Sequence, residues 1–159
     1  MANGNGHQKP LKKVRIDDLL TFSPITDNQT ITYESYKKDK HLLLHGIAGT
    51  GKTFLSLYLA LEEVLDPSTV YDDVFIVRSV VSTRDIGFLP GDEQDKVSLY
   101  EAPYRSICSE LFNYKESYDA LKQQGNVKFM STSFIRGITI NNAVVIVDEC
   151  QNLNFHELD

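Results

Sequence analysis

The residues with the clearest chemical potential run from Gly46 to Thr53, Gly-Ile-Ala-Gly-Thr-Gly-Lys-Thr, and fit the spacing G-x-x-x-x-G-K-[ST]. Glycines at Gly46, Gly49 and Gly51 let successive backbone N–H groups turn inward as a nest for an anion, with Ala48 and Thr50 contributing amides to the same wall. A helix starting directly behind the turn adds unpaired N–H donors and its positive dipole end. Lys52 brings a point charge for the outer phosphates of a nucleotide, and Thr53 a hydroxyl for Mg²⁺. The competing reading is an ordinary Gly-rich turn with a solvated lysine. The apolar run before it and the amphipathic run after it argue for the phosphate loop.

A second constellation lies near the end of the chain. Ala143-Val144-Val145-Ile146-Val147 is an apolar strand that ends in Asp148 and Glu149. An acid at that point suits Mg²⁺, which keeps much of its water and takes one or two carboxylates. The next acid points differently and can accept a proton from an attacking water, which makes Glu149 the candidate base. Gln151, two residues on, could sense a terminal phosphate; a polar loop residue is its alternative. Cys150 reads as a small packed residue, since no His or Asp partner pattern accompanies it.

These residues need elements to hold them. His41–His45 reads as a short buried strand, and Phe54, Leu55, Tyr58, Leu59, Leu61 and Leu65 recur at helical spacing until Asp66-Pro67. Val74–Val77 is a second buried strand. Helical stretches follow from Glu93 towards Tyr114 and over residues 115–124, the latter stopped at Gly125. Val127–Met130 and Ala143–Val147 supply two more strands. Strand and helix alternate, so the class is α/β with a mainly parallel sheet covered by helices. Residues 1–15 read as a flexible lead-in, residues 22–33 as a linker-like entry, and 16–159 as one domain.

Composition narrows the rest. The chain has 159 residues, 42% of them hydrophobic and 24% charged, enough for one packed core and too apolar for wholesale disorder. No apolar run approaches the ~20 residues of a membrane span, and no secretory leader is visible, so a cytoplasmic site is the default expectation. Two cysteines, Cys108 and Cys150, cannot build a disulfide framework. The net charge of −6 repels phosphate backbones, so nucleic acid would need a local basic surface and low salt. The clusters Lys12-Lys13-Arg15 and Lys37-Lys38-Lys40 lie beside acids and read as solvated faces.

Together these motifs resemble the PhoH-like family of ATP-binding proteins, related to superfamily 1 helicases. The resemblance is carried by the two motifs above and by Arg78-Ser79-Val80-Val81-Ser82-Thr83-Arg84-Asp85-Ile86-Gly87-Phe88-Leu89-Pro90-Gly91. Lys96, Tyr100-Glu101-Ala102-Pro103-Tyr104, Phe134-Ile135-Arg136-Gly137 and Asn141-Asn142 extend it. It covers about residues 24–155, and the wording of the arginine segment is most similar to the tailed-phage branch, which would place the protein in a host cytoplasm. Ser82 stands where that branch would carry proline, and Arg78-Ser79 where bacterial members carry Arg-Pro.

The resemblance implies a three-layer α/β/α RecA-like P-loop NTPase core, incomplete at the C-terminus. The family's G-D-x-x-Q strand, between the phosphate-loop strand and the acidic strand, and a later arginine have no counterpart here. A fragment of a longer reading frame, a natural minimal form, and an assembly in which another chain supplies the strand all fit, the first best. The resemblance also gives Gln29 the place of an adenine-reading glutamine, with a turn residue as alternative. Arg78 and Arg84 divide between ligand contacts and pairing with Asp85, Asp92 or Glu93. Gly87 and Pro90-Gly91 read as turn chemistry, Tyr100 and Tyr104 as packing, and Arg136 as a surface or structural arginine.

The expected function is ATP binding with Mg²⁺-dependent hydrolysis. Lys52, Glu149 and Gln151 would be catalytic, Thr53 and Asp148 would hold the metal, and Gln29 with Gly46–Thr53 would bind the nucleotide. The alternative is a nucleotide-dependent binding module without turnover. A helicase motor needs a second such domain, and phosphotransfer to a small substrate lacks an acceptor site. Expected partners are ATP, RNA or single-stranded nucleic acid through local basic residues, and a second copy of the chain, with no membrane.

Overall fold

The computed structural model describes residues 11–79, 93–132, 134–135 and 137–154. Its centre is β1 (Asp73–Arg78), with β2 (Val127–Ser131) parallel on one side and β3 (Ala143–Asp148) parallel on the other, in the order β2-β1-β3. Val74, Phe75, Ile76 and Val77 are all buried, as expected of a central parallel strand, which reads as one continuous apolar run. The registers Val74↔Val127, Val74↔Val144 and Arg78↔Asp148 bring the strand ends level.

Four α-helices accompany this sheet among the described residues: α1 (Asp27–Tyr36), α2 (Lys52–Val64), α3 (Glu93–Phe112) and α4 (Ser117–Gln124). Side chains alternate across a strand. One sheet face therefore presents Val74, Ile76 and Val127 to a core shared with Leu57, Leu61, Tyr104, Leu111 and Leu121. The other face carries Phe75 and Val77, with Lys128 over the Phe75 ring and paired to Asp73. The architecture is α/β, that of a RecA-like P-loop fold.

Three expectations change. Residues 41–45 join no ladder among the described residues: Leu43 is 83% exposed and β3 is an edge of the described sheet. A strand gains its stability from a partner's N–H and C=O groups, and three apolar residues in a row do not supply one. The expected linker over 22–33 runs into α1, which is capped by Thr26, whose hydroxyl accepts from the Gln29 N–H. The helix has no apolar stripe, so periodicity could not reveal it. It is held instead by Tyr36 donating to Glu63 and by the Lys37–Glu62 pair.

The expected lead-in is drawn into the fold over residues 11–15. Val14 is buried, its N–H donates to Gln124 Oε1 at 2.6 Å, and Gln124 Nε2 returns a bond to its carbonyl at 3.0 Å. A single valine in a polar run has no period and leaves no signal. Residues 1–10 lie outside the described residues.

One buried carboxylate joins α3 to α4. Glu101 is 3% exposed, accepts from the Tyr118 hydroxyl at 3.0 Å and from Arg105 at 3.1 Å, and is paired with Lys122. Arg105 and Lys122 also lie over the Tyr118 ring, at 5.2 and 5.7 Å. Burial, then Glu101, raises the Tyr118 pKa, so its hydroxyl keeps its proton and donates. Removing one partner of a fully buried pair costs ~3–5 kcal/mol. Arg105 and Lys122 still reach water, so Glu101→Ala is expected to lose about 2–3 kcal/mol in urea unfolding. The exposed Glu110→Ala is expected to stay within about 0.5 kcal/mol of the parent.

Candidate functional site

The phosphate loop ends at Gly51, the N-cap of α2, whose φ of 81° lies in the left-handed region where a side chain is strained. That turn lets α2 start with Lys52 and Thr53 in its first turn, with the Leu55 N–H returning to the Gly51 carbonyl at 2.9 Å. Upstream, Thr50 donates its hydroxyl to the Ile47 carbonyl at 2.9 Å. Residues 46–50, Gly46, Ala48 and Gly49 among them, are exposed along one open turn. The Lys52 ammonium folds over this turn and donates to the carbonyls of Gly46 at 2.8 Å and Ile47 at 2.9 Å.

The two motifs meet at one carboxylate. Thr53 Oγ1 donates to Asp148 Oδ1 at 3.2 Å, a contact between residues 95 apart in sequence. Asp148 Oδ2 accepts from the Tyr104 hydroxyl at 2.7 Å, across 44 residues. Tyr104 is buried, with its ring 5.9 Å from that of Phe129. Its pKa is raised, first by burial and then by the Asp148 carboxylate, so the phenol is the donor; Arg78 acts in the opposite sense. Arg78 is level with Asp148 in the sheet and lies 5.8 Å over the Tyr100 ring.

Beyond β3 the chain turns through Glu149, a non-glycine residue at φ 53°, into a short 3-10 turn over Cys150–Asn152. Gln151 Nε2 donates to Glu149 Oε2, so the expected base and the expected sensor touch each other. Left-handed backbone at a non-glycine residue is uncommon and concentrates at functional sites. Gln29 also reaches the loop. Its Oε1 accepts from the Ile25 N–H at 2.9 Å, and its Nε2 lies 3.6 Å from where a Cβ on Gly51 would stand.

Gln29, Gly51, Lys52, Thr53 and Asp148 thus gather at one end of the sheet, with Glu149 and Gln151 following. Arg84, Asp85, Gly87, Pro90-Gly91 and Arg136 lie outside the described residues. Tyr104 packs in the core as expected, but periodicity carried no sign of its hydroxyl bond to Asp148. A tyrosine at a buried helical position carries a hydroxyl that needs a partner, which was the available signal. Cys108 is fully buried, its thiol pushed up to about 12 by burial and then by Asp119, so it is no nucleophile.

Among the described residues no cluster of three or more His, Cys, Asp or Glu could hold a metal by itself. The oxygens of the Thr53 hydroxyl and the Asp148 carboxylate are of the kind that would suit Mg²⁺, which takes oxygen ligands. No helix among the described residues is long and apolar enough to cross a membrane.

Comparison with known proteins shows the family. The profile of the family described as "PhoH-like protein" matches residues 21–159. The chain is 33% identical over 156 residues to Protein PhoH2 of Bacillus subtilis, covering 93% of this chain and 35% of that protein. It is 39% identical over 143 residues to a PhoH-like protein of Synechocystis, covering 89% and 42%. With Protein PhoH of Escherichia coli K12 the identity is 36% over 110 residues, covering 68% and 30%. The chain therefore spans less than half the length of each of these relatives.

Gly51 offers a direct check on the loop. A Cβ there meets only the far end of a flexible amide, so the cost of Gly51→Ala is backbone strain, about 1–2 kcal/mol. Urea denaturation is expected to show that loss, with the Gln29 amide left in place at 3.6 Å.

Proposed function

The chain belongs to the PhoH-like family, and on that premise we propose that it binds ATP and hydrolyses it with Mg²⁺ at the junction of the phosphate loop and β3. The observation that carries this reading is the 3.2 Å contact between Thr53 Oγ1 and Asp148 Oδ1. It brings the two Mg²⁺-handling groups of P-loop enzymes within reach of a single ion.

The residues divide the work. Backbone N–H groups of residues 46–51 and the start of α2 take the phosphates, and Lys52 exchanges its two carbonyl contacts for phosphate oxygens. Gln29 lies beside the loop on α1, where an amide can read the adenine edge. Glu149 takes the proton of a water as that water's oxygen bonds to the γ-phosphorus and the bond to the β–γ bridging oxygen breaks, leaving ADP and phosphate. Thr53 and Asp148 would hold Mg²⁺, which would supply charge neutralisation on the phosphate oxygens.

Gln151 on the Glu149 carboxylate favours a second reading, in which nucleotide is held without turnover. An amide that occupies the base would have to leave before water could be activated.

Two variants separate the readings. Lys52→Ala is expected to weaken ATP binding at least tenfold, and unchanged affinity would remove the phosphate-loop assignment. Glu149→Gln is expected to keep binding and lose about 10²–10⁴ in Mg²⁺-dependent phosphate release. Equal release by wild type and Glu149→Gln would remove Glu149 as the base, and no release by either would leave the binding module standing. Release that rises with single-stranded RNA at low salt would support a nucleic-acid partner.

A further inference from the structure

We propose that Tyr104 is a positioning residue for the metal site: its buried hydroxyl holds the Asp148 carboxylate so that Oδ1 faces Thr53 and the ion. The proposal rests on the nucleotide reading above and adds to it a group on α3, an element that neither motif contains.

The geometry is specific. Each oxygen of Asp148 has one hydroxyl partner from a different helix, Thr53 of α2 on Oδ1 at 3.2 Å and Tyr104 of α3 on Oδ2 at 2.7 Å. A carboxylate that rotates freely presents either oxygen in many directions; one anchored at Oδ2 presents Oδ1 along one. The anchor is itself fixed, because the Tyr104 side chain is buried and packed on Phe129. Partners of metal ligands that orient them in this way typically change metal affinity or activity 10–100-fold when removed.

The chemistry predicts a split between nucleotide and metal. Among the described residues the Tyr104 hydroxyl makes no hydrogen bond to the phosphate loop or to Lys52, so it should matter only when the ion is engaged. Tyr104→Phe removes one oxygen and keeps the ring.

The test titrates a fluorescent ATP analogue into the full chain, first in EDTA and then over a Mg²⁺ series, for wild type, Tyr104→Phe, Asp148→Asn and the double variant. In EDTA, Tyr104→Phe is expected to bind within about twofold of wild type. Its Mg²⁺ concentration for half-maximal tightening should rise about tenfold. In the Asp148→Asn background the same change should add less than about twofold, because the group it orients is altered.

A Mg²⁺ dependence equal to wild type overturns the proposal alone. So does an equal loss in EDTA and in Mg²⁺ accompanied by a lower melting temperature, which is the mark of a structural role. A wild type with no Mg²⁺-dependent step overturns the nucleotide reading, and the Tyr104 proposal with it.

Discussion

Asp148 sits half-buried at the end of an edge strand with both carboxylate oxygens taken, one by a threonine from the start of α2 and one by a tyrosine from the middle of α3. A carboxylate withdrawn from water is costly unless it is hydrogen-bonded, so the three elements that meet there have little freedom to move independently. Val144 and Ile146 of β3 pack against the same core that buries Leu55 and Leu57 of α2. The spacing between hydroxyl and carboxylate is thus set by hydrophobic packing, and the open loop only inherits it.

The same helix carries a second anchor three residues earlier. Glu101 and Tyr104 lie on one face of α3, as side chains at i and i+3 do, and both are buried. Glu101 ties α3 to α4 through Tyr118 and Lys122, while Tyr104 ties it to β3. Loss of the first would loosen the scaffold; loss of the second would loosen a single carboxylate. Both polar anchors inside this apolar layer are hydrogen-bonded, which is the condition for such groups to be tolerated there.

Exposure is distributed unevenly around this arrangement. β1 is buried on both faces, whereas Val145 and Val147 of β3 are 45% and 46% exposed and Ile47 of the loop is 81% exposed. The phosphate loop is therefore held from behind, by Gly51 and the first turn of α2, and is open in front. Lys52 uses its own loop's carbonyls as partners in this state, which leaves its charge beside the place where phosphate oxygens would arrive.

The loop motif, the V-F-I-V strand, the acidic strand and the leucine-rich helix were legible because each is a local pattern, written in neighbouring residues with a period or a fixed spacing. Helix α1 was not, since it carries no apolar stripe; its only local mark is Thr26 three residues before Gln29. Nor could an apolar triplet at 42–44 reveal that it joins no ladder among the described residues, because pairing belongs to two segments and a run describes one. The sequence by itself determined which side chains could hold a phosphate and a metal. Only the tertiary structure decided that Tyr104 turns its hydroxyl onto Asp148 and Gln151 its amide onto Glu149, because hydrogen-bond direction depends on packing between distant elements and on the left-handed turn at Glu149.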